Sequence, residues 1–85
     1  MRNRSLQELK QAYTEAEERQ RDAYRRAIWL EKHLYDTSTE EEFSAQLETL
    51  KAQERVLQEL GQAAAVARYE YLTVEAATRA EGAAV

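Results

Sequence analysis

The sequence predicts an all-α protein, an antiparallel two-helix hairpin of coiled-coil type that is completed by oligomerisation or by a partner protein. Three observations predict it. Proline is absent and glycine occurs only at Gly61 and Gly82, while Ala, Glu, Gln, Arg and Leu, all good helix formers, dominate the 85 residues. Apolar residues recur at alternating spacings of three and four along two long stretches. Between the stretches lies one short segment, "YDTSTEEEF", rich in residues that cap helices rather than continue them.

The first helix, about 4–35, carries the seam Leu6, Leu9, Tyr13, Ala16, Gln20, Ala23, Ala27, Leu30, Leu34. A seam of this spacing is the pattern of a helix lying along another helix. The turn is expected over 36–39. There Asp36, Thr37, Ser38 and Thr39 offer side-chain oxygens to backbone N–H groups, and either Ser38 with Glu41 or Thr39 with Glu42 fits a capping box. Glu40, Glu41 and Glu42 put negative charge at the positive end of the next helix.

The second helix, about 40–80 with a frayed C-terminal tail, has the seam Phe43, Gln46, Leu50, Gln53, Leu57, Leu60, Ala64, Ala67, Tyr71, Val74, Thr78. So short a break folds the helices back antiparallel within a single domain, 1–85. The register chosen to set large side chains against small along the two seams places Leu30 opposite Phe43, Tyr13 opposite Leu60 and Leu6 opposite Ala67. It also sets Gln20 opposite Gln53, a polar pair that could fix the register by sharing a hydrogen bond. Gly61 is expected to leave room for Tyr13 and Leu9.

In this register the first helix runs out near the counterpart of residue 69. Tyr71 and Val74 then continue the seam with nothing opposite, and Leu72 lies beside them. Tyr24, Ile28 and Tyr35 line one flank, joined by Leu47 from the other helix, and Trp29 projects on the opposite side. Two helices touching along one thin seam bury little surface. The candidate partner interface is therefore Tyr24, Ile28, Trp29, Tyr35, Leu47, Tyr71, Leu72 and Val74.

Composition limits the chemistry. Without cysteine there is no disulfide, thiolate metal site or thiol nucleophile. His33 is the only histidine and has Leu30, not a carboxylate, one turn before it. No Gly-rich phosphate loop occurs, and the serines belong to no defined constellation with a base. No catalytic residue, metal or cofactor is expected. The basic stretch "RQRDAYRR", 19–26, is interleaved with acids and spread over more than one face, so salt pairs at helical spacing are its expected use. The net charge of −4 also argues against general affinity for nucleic acid or anionic membrane. No apolar run suits a bilayer, the N-terminus lacks the apolar core of a signal peptide, and the sequon at Asn3 is read as chance. A cytoplasmic protein is expected.

The segment "STEEEFSAQLETLKAQERVLQEL", 38–60, followed by "RYEY", 68–71, resembles the small two-helix co-chaperones that hold the needle subunit of bacterial type III secretion systems. The resemblance implies a cytoplasmic hairpin that joins a helical-repeat chaperone to shield an aggregation-prone secreted subunit. The function expected is a non-catalytic protein-interaction module, an assembly factor or secretion-type co-chaperone acting on a protein partner, on itself, or on both. The alternatives are a nucleic-acid-binding regulatory homodimer and a purely structural four-helix-bundle dimer.

Overall fold

The computed structural model describes residues 5–84, and these form two α-helices, α1 (Leu6–Leu34) and α2 (Glu40–Ala84), packed against each other as a hairpin. The expected helix start at residue 4 and the sequon at Asn3 lie outside the described residues. Helix α2 continues to Ala84, past the limit of about 80 read from the sequence. Its 45 residues, at 1.5 Å each, account for a long axis of 68 Å. The thinnest Cα extent is 13 Å, the thickness of one helical layer.

Local chemistry sets the helix ends. Ser5 has extended backbone angles and its Oγ accepts from the Glu8 N–H at 3.2 Å, which caps α1. Lys32 and His33 lie in the last turn of α1, where cations suit the helix dipole. The exit is tied by the Asp36 N–H to the His33 carbonyl and by the Thr37 hydroxyl donating to the Leu34 carbonyl at 2.9 Å. Helix α2 is entered through the Thr39–Glu42 box. The Glu42 N–H donates to Thr39 Oγ1 at 3.1 Å, and the Glu42 carboxylate reaches back to the Ser38 N–H at 3.0 Å.

The buried core is Leu9, Ala23, Ala27, Leu30 and Leu34 from α1 with Leu50 and Ala64 from α2, all seam positions. Among the described residues no side chain is completely enclosed. Leu47 and Leu57 pack against the cluster of Ala27, Leu30, Leu34 and Leu50 at the turn end.

The facing pairs differ from the expected ones by about one heptad. Tyr13 stacks on Tyr71, not on Leu60. Gln20 lies beside Gly61, not Gln53. Leu30 packs in the cluster with Leu50, and Phe43, expected opposite it, remains 37% exposed. A slip of seven residues returns each seam position to the seam, so the buried set survives while every partner changes. The observed register gathers leucines around Leu30 and Leu34 and gives the α1 tyrosine an aromatic mate. The expected register would forgo both.

The glutamine pair is accordingly not formed. Gln53 Nε2 donates to the Ala23 carbonyl at 3.1 Å, a cross-helix bond to backbone. A methyl group at Gly61 would lie 3.2 Å from Gln20 Nε2, so the glycine makes room for that amide rather than for Tyr13 and Leu9.

Candidate interaction surfaces

A single helical layer has two broad faces. One is marked by a shallow open groove along Glu17, Gln20, Arg21, Tyr24 and Leu57, with a neighbouring depression lined by Tyr13, Gly61, Ala65 and Arg68. Tyr24 is 55% exposed on this face, Tyr35 is exposed at its turn end, and Ile28 and Leu47 are half-buried between them. Leu72, on the same flank of α2, is 45% exposed. These five side chains come from the groove side of both helices.

Trp29 belongs to the other face. Its indole is 55% exposed and stacks on the His33 imidazole, with centroids 4.0 Å apart and planes at 22°. His33 Nδ1 lies 2.8 Å from the Trp29 carbonyl oxygen, so the histidine is held against its own helix and is half-buried. On α2 the same face carries Val56 and Val66, both exposed, which sequence reasoning did not single out. Their signal was available: with Ala45, Thr49, Ala52 and Ala63, and interrupted by Glu59, they form a second stripe at alternating spacings of three and four.

Tyr71 and Val74 do not overhang. In the observed register α1 reaches them, both are half-buried, and the Tyr71 ring lies on Tyr13 in the same chain. The reason for assigning them to another chain is thereby removed. The arrangement repeats one motif on both helices, a tyrosine with a glutamate one turn on. The Tyr71 hydroxyl donates to Glu75, which also pairs with Arg79 at 3.3 Å. Hydrogen bonding to Glu75, then desolvation, raises the pKa of Tyr71; Glu17 and desolvation do the same for Tyr13, with Arg68 opposing. Two stacked phenols, each with a carboxylate one turn on and Tyr71 donating to its own, form a clamp at the open end.

The other ion pairs recorded among the described residues are local, Asp22 with Arg25 at 3.8 Å and Glu48 with Lys51 at 3.5 Å. Exposed pairs of this kind add little to stability. Among the described residues no group of three or more His, Cys, Asp or Glu could hold a metal ion, and no helix is long and apolar enough to cross a membrane. No family model matches the chain, and neither a curated protein nor a solved structure matches it.

Proposed function

We propose that the chain is a non-catalytic protein-interaction module, an assembly factor or secretion-type co-chaperone whose hairpin is completed by burying its faces against protein. One observation supports this reading above the rest. The chain exposes 7053 Å², whereas a folded monomer of 9.9 kDa exposes about 5,200 Å². Stable domains hide apolar surface between two layers, and this hairpin has one.

The test is a melting curve at several protein concentrations, paired with capture from the host cell extract. A module completed by protein melts higher when its completing chain is present, because binding to the folded form stabilises it. The reading fails if the dilute hairpin melts cooperatively at a high, concentration-independent temperature and retains no protein. For the co-chaperone reading in particular, co-expression should keep an aggregation-prone secreted subunit soluble, and Tyr24→Ser with Tyr35→Ser should reduce that effect while helicity holds.

A further inference from the structure

We infer that the Trp29 face is a self-complementary interface, and that its occupant is a second copy of this chain packed antiparallel about a two-fold axis at the level of Gln20 and Gly61. The inference rests on the reading of the hairpin as an interaction module and names the partner of one face.

Helix α2 has apolar residues on two sides. Its seam faces α1, while a second stripe, from Ala45 to Ala77, is exposed throughout. This stripe is nearly a palindrome about Gly61. Folding it back on a second copy sets Val56 on Val66, Thr49 on Thr73 and Ala45 on Ala77. Its two acids, Glu59 and Glu70, then fall opposite Ala63 and Ala52, so no carboxylate meets another. Side chains this small let helix axes approach to about 8 Å. An interface in which a contacts b and b contacts a is what two-fold symmetry demands.

Helix α1 carries the matching half on the same face. About the junction of Gln20 and Arg21, Glu15 falls opposite Arg26 and Arg19 opposite Asp22. Trp29, the large exposed ring, falls opposite Ala12, and His33 opposite Glu8. The pairs set acid against arginine, imidazole against carboxylate, or large against small. The two centres were located separately, one in each helix. The hairpin brings them together, because the Gln20 amide lies against Gly61. One axis therefore serves both stripes.

The groove face lacks this property. Its like positions pair with one another only about Arg21 itself, half a residue from that junction, and there Arg21 meets its own copy, Ile28 meets Thr14 and Tyr35 meets Gln7. The area also fits. The surplus over a folded monomer is about 1,850 Å² per chain, within the roughly 1,000–2,500 Å² per subunit that obligate homodimers bury.

The chain has no cysteine, so introduced ones are unique. Val56→Cys combined with Val66→Cys should give a covalent dimer on mild oxidation. The two positions lie about 15 Å apart along one helix and cannot bridge within a chain. Either single variant should stay uncrosslinked, since its copy would sit equally far away. Singles that crosslink as readily as the double overturn the pairing. As a second measure, Glu15→Arg or Arg26→Glu alone should weaken the dimer by about tenfold, two pairs being lost at once, and the combination should restore it. Both sites are exposed and off the seam, so helicity should hold. A dimer indifferent to these changes uses another face and overturns the inference. A wild-type monomer at concentrations on the order of 100 µM overturns the second copy while leaving the interaction reading to the capture experiment.

Discussion

The rings of Tyr13 and Tyr71 lie 5.9 Å apart and 19° from parallel, joining the first turns of α1 to the last third of α2. Stacked aromatic pairs of this spacing contribute about 0.5–1.5 kcal/mol beyond the area they bury. The Tyr71 hydroxyl donates to Glu75 and the Glu17 carboxylate lies one turn on from Tyr13; both carboxylates, with desolvation, favour the neutral phenols and raise the two pKa values. A group with a raised folded-state pKa stabilises fully below its unfolded value and loses that contribution as pH rises through the folded one. The clamp is therefore whole at neutral pH and released in the alkaline range above about 10. Followed by phenolate absorbance, Tyr13→Phe and Tyr71→Phe should each remove a late-ionising phenol, and a titration curve whose alkaline end neither change alters would show that the clamp does not exist.

Gly61→Ala is expected to stabilise the hairpin by about 0.5–1 kcal/mol. Alanine recovers the helix propensity that glycine forfeits in a helix interior. The methyl meets only the far end of the Gln20 side chain, at 3.2 Å, and a half-exposed amide can yield by the few tenths of an ångström required. A fall in melting temperature would show that Gln20 is locked in place.

Leu30 and Phe43, placed opposite each other by the simplest count, should behave very differently when truncated. Leu30 is 5% exposed in the turn-end cluster, and Leu30→Ala should cost about 2–5 kcal/mol. Phe43 is largely outside that cluster, and Phe43→Ala should cost less than about 1 kcal/mol. Chemical denaturation of the two variants decides the register. Equal losses would restore the Leu30–Phe43 pairing.

Thr39→Ala removes the oxygen that accepts from the Glu42 N–H and should cost about 1 kcal/mol. Adding Glu42→Ala, which frees the Ser38 N–H, should cost less than the two changes made separately, because the bonds form one box. Strict additivity in a double-mutant cycle would mean that the two bonds act independently.

The fold class was legible because it rests on periodicity and caps, which are local. Seam positions from Leu6 to Val74 are buried or half-buried, apart from Phe43, and the Thr39–Glu42 box is formed as spacing allowed. Register was not legible, because nothing in a heptad pattern tells one repeat from the next. The deciding contacts are long-range and particular: a ring on a ring at Tyr13 and Tyr71, an amide over a glycine at Gln20 and Gly61. The groove-side residues Tyr24, Ile28, Tyr35 and Leu47 do lie together, since flank positions follow from helical phase alone. The isolation expected of Tyr71 and Val74 depends on the register, and the observed one brings α1 alongside them. Val56 and Val66 sit in a stripe dominated by alanine and threonine, whose periodic signal is weak beside that of tyrosine and tryptophan.

The indifference of the seam to a seven-residue slip has a consequence for length. A segment added to or taken from one arm in a block of seven leaves every remaining side chain on its own face. A block of three or four must be taken up by local over- or under-winding, and one of one, two, five or six turns the rest of the arm about its axis and carries leucines into solvent. The arms of this hairpin thus grow or shrink without distortion only in whole repeats. Descendants that differ in length should be aligned by helical face rather than by distance from the turn.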